Sequence, residues 1–193
     1  IRDRSPSRGL GDVYKRQLER NPREDHRHYL NHFSMHPPDL TMELMAEHDI
    51  HITQQPNFTY TLEGRYAANL DGWRLNHNNP LRSPMEHGVT VAISSDILPI
   101  GPMVGLYAAV TRKGMSGQVY GPDEIITIEE AIRAYTLTGA YLNFEEDVKG
   151  SLEPGKFADM IVLSDDVLTI DPKHIMDIEV EQTYINGKLV YEK

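Results

Sequence analysis

The chain has 193 residues with a hydrophobic content of 39% and a charged content of 25%, enough for one ordinary domain with a sizeable core. No apolar run is long enough to cross a bilayer, no secretory signal is visible, and the absence of cysteine excludes disulfides and thiolate metal sites. A net charge of -10 argues against a nucleic-acid or anionic-membrane surface.

Residues 1–17 have neither a helical nor a strand period, and their charge is basic while that of the rest is acidic. Read back into codons, Ser7–Gly11 and Asp12–Gln17 resemble a sequencing adapter and the transposase end joined to it. Ile1–Asp3 fits the end of the outer adapter, in the same order and frame. This stretch is therefore expected to be a translated artefact, excluded from fold reasoning. The first methionine is Met35, which fits a protein proper that starts mid-gene at Leu18.

From there the pattern alternates. "HRHYLNHFSM" predicts a strand near 27–33. Pro37-Pro38-Asp39 opens a helix through about His48 with Leu40, Leu44 and Met45 on one face. "DIHITQQPNF" is a second strand stopped by Pro56, and "NLDGWRLNHNNP" a long polar loop of the kind that carries function. "SPMEHG" is a short helix closed by Gly88. "VTVAISSD" is an almost continuous apolar strand, as in a parallel sheet buried on both faces. "GPMVGLYAAVTRKG" is helical to Gly114, and "TIEEAIRAYTLTGAYLNF" is a helix with Thr127 as N-cap and Glu130 at N3. After Asp147, Pro-Gly turn chemistry leads into a strand over Ala158–Leu163, and "VEQTYINGKLVYEK" is a hairpin about Asn186-Gly187. Residues 18–146 thus predict a parallel α/β sheet or barrel, and residues 147–193 a small β appendage.

In such folds chemistry sits at the C-terminal ends of the strands. Asp96 follows Val-Ala-Ile-Ser-Ser, where a carboxylate must bind a cation or accept hydrogen bonds to offset its desolvation; capping the next turn is the other use open to it. His32 ends the first strand, and could be packed or a ligand. Together they suit a hard or borderline ion such as zinc. His26 and His28 share a strand face but lie at the opposite end of the strand, so they read as a solvated strand start. His77, in the long loop, is a candidate substrate contact.

Taken in order, "HRHYLNHFSMHPPDL", "ITQQPNF", "PLRSPMEHGVTVAISSD", "YAAVTRK", "ITIEEAIRAYTLTGAYLNFEEDVKGSLEPGKFADMIVLSDD" and "TYINGKLVYE" resemble the C-terminal half of metal-dependent amidohydrolases. The resemblance is to the group containing the YtcJ-like proteins and N-substituted formamide deformylases, and it covers Leu18 to Lys193. It implies a (β/α)8 TIM-type barrel, of which residues 18–146 would supply strands six to eight, while residues 147–193 would supply C-terminal strands of a small β-sandwich domain. By the same resemblance His32 and Asp96 lie at the metal site, the metal being a divalent ion, expected to be zinc, with one or two ions in the full-length parent. Asp96 would take a proton from the metal-activated water and pass it to the leaving amine. Gln55 and His77 are the expected substrate-binding residues.

The family's strand-one His-x-His would lie upstream. HRH cannot supply it, because a full barrel needs about 250 residues and too few separate His28 from Asp96. The expected parent is a cytoplasmic hydrolase of a C–N bond, an amide or N-formyl amine, with self-assembly into a homo-oligomer left open. The alternative is a non-catalytic barrel with a binding or regulatory role. The chain by itself is expected to be inactive and marginally stable, because three strands of eight leave sheet edges unpaired.

Overall fold

The computed structural model describes residues 16–96 and 101–193; the adapter-like stretch therefore lies outside the described residues save for its last two. Three short strands, β1 (Tyr29–Asn31), β2 (His51–Gln54) and β3 (Val91–Ile93), form a parallel sheet in that order. Leu30 pairs with Ile52, and Ile52 with Val91. The strands are shorter than the apolar runs that announce them. Helix α1 (Asp39–Glu47) connects β1 to β2. Its inward face is Met42 and Met45, not the expected Leu40, which is 64% exposed. Met42 and Met45 lie three residues apart, one turn of helix, and that pair sets the phase of α1 on the sheet.

The chain after β2, which includes the expected polar loop over 69–80, is largely helical. It folds into α2 (Asn57–Thr61), α3 (Glu63–Asn69) and α4 (Gly72–Asn76), followed by α5 (Arg82–Glu86). Asp71 caps α4 by accepting from the Arg74 amide. After β3 come α6 (Pro102–Thr111), α7 (Ile128–Tyr135) and α8 (Leu137–Leu142). The capping box at Thr127 and Glu130 is present, but the expected single helix breaks at Thr136, which is non-helical (φ -112°, ψ -85°). Helix α6 stops at Arg112, in the left-handed region at φ 53°, two residues before Gly114.

The core lies between the sheet and these helices. Ile52 and Ala109 are fully buried, and Val91, Ile93, Leu106 and Ala131 pack with them. Full burial of a side chain such as Ile52 stabilises by about 1.5–3 kcal/mol. The C-terminal strands β4 (Met160–Leu163), β5 (Val180–Ile185) and β6 (Lys188–Glu192) form a separate antiparallel sheet. Asn186 and Gly187 both have positive φ, 49° and 73°, as the tight turn of a two-residue hairpin requires. Between β4 and β5 a 3-10 segment, Pro172–Asp177, packs on α6 and returns Ile175 to the core.

Candidate active site

Each strand of the parallel sheet hands over to a polar residue one position past its end: His32 after β1, Gln55 after β2 and Ser94 after β3. Because the strands run the same way, all three gather at the C-terminal edge, and Asp96 follows two residues later. His32 Nδ1 lies 2.8 Å from Gln55 Oε1. Gln55 Nε2 donates to Ser94 Oγ at 2.8 Å and to Asn31 Oδ1 at 3.2 Å. The other imidazole nitrogen, Nε2, faces Asp96 Oδ2 at 3.7 Å, and both side chains are 41% exposed. Phe58, stacked on the His32 ring at 5.9 Å between centroids, limits how far the ring can turn.

Both residues of the pair are in left-handed backbone, His32 at φ 58° and Asp96 at φ 56°. That conformation costs a non-glycine residue about 1–2 kcal/mol and is held here by neighbours. The His32 carbonyl accepts from the Ser34 amide at 2.6 Å. The Ser95 carbonyl accepts from the buried Asn57 Nδ2 at 2.8 Å. Tyr135 sits beside Ser95 with its phenol pushed up to about 12 by burial, an effect Ser95 partly opposes.

The donor set fits a divalent cation. With the His32 proton on Nδ1, shared with Gln55, Nε2 presents a lone pair towards a carboxylate, an arrangement a cation between them would satisfy. Ligand atoms around a tetrahedral zinc at about 2.0–2.1 Å stand roughly 3.4 Å apart, close to the observed spacing. Among the described residues no group of three or more His, Cys, Asp or Glu side chains is arranged to hold a metal, so the pair would form part of a coordination sphere.

Of the other residues singled out from the sequence, Gln55 lies at this edge and the histidines fall elsewhere. Gln55, expected to touch substrate, is 1% exposed with its amide spent on His32, Ser94 and Asn31. His77 directs Nδ1 to the Trp73 carbonyl at 2.9 Å and stacks on the Trp73 indole at 4.4 Å, with His36 edge-on to both rings. These contacts put it in an aromatic cluster carried by the loops that follow β1 and β2. His26 and His28 lie at the N-terminal end of β1, their rings tilted by 33° at 4.6 Å between centroids, and Arg27 between them bonds Asp25 and Glu146 and lies over the rings of Tyr141 and Phe144.

Sequence reasoning missed a buried clamp behind the site. Arg112, fully buried, donates to the carbonyls of Tyr120, Asn79 and Asn78 at 2.8, 2.9 and 2.6 Å. Burial pushes its guanidinium down to about 10, opposed by Glu124, so it stays charged at neutral pH. Glu124 accepts from the Leu81 and Ser83 amides at the start of α5. The clamped loop in turn touches the β1 end: the Asn79 amide donates to the Ser34 carbonyl at 2.8 Å, and buried Gln54 joins the Phe33 and Pro80 carbonyls. The one local signal was the charge of Arg112 at the end of an apolar helix.

Residues 3–191 match the model of the Amidohydrolase family. Among relatives, the protein YtcJ of Bacillus subtilis is 31% identical over 182 residues, covering 91% of this chain and 34% of its own length. An N-substituted formamide deformylase of Arthrobacter pascens is 36% identical over 117 residues, 59% of this chain and 21% of the relative. The chain thus spans about a third or less of these relatives. A metal-dependent hydrolase from Pyrococcus horikoshii shares the fold, with a TM-score of 0.69 at 24% identity over 84% of this chain and 33% of that structure. Among the described residues no helix is long and apolar enough to cross a membrane. The chain belongs to the amidohydrolase family.

Proposed function

With family membership as the premise, we propose that this chain is the C-terminal part of a metal-dependent hydrolase that cleaves a C–N bond, an amide or an N-formyl amine, in a small-molecule substrate. On this reading residues 18–146 are strands six to eight of a (β/α)8 barrel with their helices. Residues 147–193 belong to a small β-sandwich, and residues 1–17 are foreign to both. The observation that carries the proposal is the His32–Asp96 pair at the C-terminal edge of the parallel sheet, 3.7 Å apart, with the far side of the imidazole tied to Gln55.

His32 Nε2 and an Asp96 oxygen would hold the metal, with zinc best matched to this nitrogen–oxygen set. When bound, such an ion lowers the pKa of water towards about 7 and polarises the substrate carbonyl. Asp96 is placed to hold a proton. Its exposed carboxylate can accept one from the attacking water and release it to the departing amine nitrogen, so one group serves as base and then acid. The backbone at Asp96 is in a left-handed turn, and Asn57 braces the preceding Ser95 carbonyl.

The test is Asp96→Asn in the intact protein that carries this chain, assayed for release of formate or amine from N-formyl amines and simple amides. We expect turnover to fall by at least about 100-fold, the ordinary contribution of a positioned acid–base group. Unchanged turnover overturns the assignment. A preceding sequence without a His-x-His would favour instead a non-catalytic barrel that binds without hydrolysing.

A further inference from the structure

We propose that Gln55 fixes the tautomer of His32, keeping the ring proton on Nδ1 and turning an unprotonated Nε2 towards Asp96. A neutral imidazole can carry its proton on either nitrogen, and the choice follows from what the other nitrogen meets. Here Nδ1 meets the Gln55 side chain at 2.8 Å. A primary amide can present oxygen or NH2 there, so the far end of Gln55 decides. That end reaches Ser94 Oγ and Asn31 Oδ1, and Asn31 Oδ1 already accepts from Thr53 Oγ1 at 2.5 Å. Turning the Gln55 amide over would set its oxygen against that of Asn31, with Gln55 buried at 1% exposure. A buried polar group left without a partner is strongly disfavoured.

The clash is relieved when the whole chain of bonds reverses, Asn31 turning over as well. The ring proton then moves to Nε2 and faces Asp96 Oδ2 at 3.7 Å, too far for a hydrogen bond. In the observed polarity Thr53 donates to Asn31, Gln55 donates to Asn31 and Ser94, and His32 donates to Gln55. Gln55 is thus a positioning residue, acting on chemistry through the imidazole. The tautomer stands on geometry alone; its consequence for metal affinity rests on the reading of His32 and Asp96 as ligands.

The experiment is nitrogen NMR of the intact, metal-free protein labelled with 15N-histidine, at about pH 8, above the ordinary imidazole pKa of about 6.5. His32→Asn assigns the resonance. In the wild type we expect His32 protonated on Nδ1 and bare on Nε2, a reading that needs no Gln55 variant to fold. Gln55→Met, of similar shape but without the acceptor, should shift the proton towards Nε2. Gln55→Glu keeps the acceptor and should restore the Nδ1–H form. Titration with zinc alone should show affinity weakened about 10–100-fold in Gln55→Met, the usual effect of losing such a support, and recovered in Gln55→Glu. A wild-type ring protonated on Nε2, or a tautomer indifferent to Gln55→Met, overturns the proposal. The expected tautomers without any zinc binding uphold it and overturn the metal reading instead.

Discussion

Val91-Ala92-Ile93 and Met160-Ile161-Val162-Leu163 are much alike as sequence, yet they meet opposite fates. Every residue of β3 is buried, whereas β4 is exposed except for a half-buried Leu163. The difference lies in what covers them. β3 lies in a parallel sheet with α7 and α8 against it, while on the antiparallel sheet Ile161, Val162, Leu189 and Val190 are all 40% exposed or more. Apolar content therefore marks a strand, and only the elements packed on it make the strand a core. The parallel sheet also carries the candidate chemistry, since a rigid, covered scaffold can hold His32 and Asp96 in left-handed backbone.

The contrast between the covered and the open half can be broken at single residues. The largest effect is expected at Arg112. Arg112→Met strands three carbonyls, two of them buried, and removes the cation that offsets Glu124, and we expect a loss of about 3–5 kcal/mol in urea unfolding. Arg82→Met, which breaks the partly exposed pair with Glu130 at 2.7 Å, should cost no more than about 1 kcal/mol. Equal losses would mean that Arg112 is no clamp. Next comes Ile52→Ala, which empties a fully buried site of β2 and should cost about 2–5 kcal/mol. Ile161→Ala on β4, 46% exposed, should stay within about 1 kcal/mol. A large loss there would show that the antiparallel sheet is covered in the protein in solution.

What could be read from sequence was what neighbours along the chain decide. The capping box at Thr127 and Glu130 needs only residues within one turn, and the Asn186-Gly187 hairpin only its own backbone preference. Strand ends were legible too, which is why His32 and Asp96 could be placed at the C-terminal edge. Legibility failed where partners are distant. Helix α6 was expected to reach Gly114, but it ends at Thr111, and Arg112 just beyond it is held by the carbonyls of Asn78 and Asn79, more than thirty positions away. The hydrogen bonds of Gln55 were not legible either, because its three polar partners belong to the ends of two other strands. Helix α4 hid in a stretch too polar and too rich in Asn and Gly to show a period.

At Gly114 a local turn meets a distant partner, and the smallest effect is expected there. The role of this glycine is clearance: the Glu63 carboxylate occupies the space a Cβ would need. Glu63 accepts from the Ser116 amide at 2.9 Å and from the Tyr120 hydroxyl at 2.8 Å. Burial pushes its carboxyl up, but the hydrogen bonds from Ser116 and Tyr120 outweigh this and hold it below the ordinary 4.5. A carboxylate whose folded pKa is depressed adds stability that is present above its unfolded pKa and is lost as pH falls through the folded value. The wild type should therefore lose its advantage over Glu63→Gln as the pH falls below about 4.5. Urea midpoints measured for both proteins from neutral pH downwards read this directly. Curves that run parallel throughout would show that the Glu63 bonds do not depend on its charge, and that the turn from Gly114 to Tyr120 is held by packing alone.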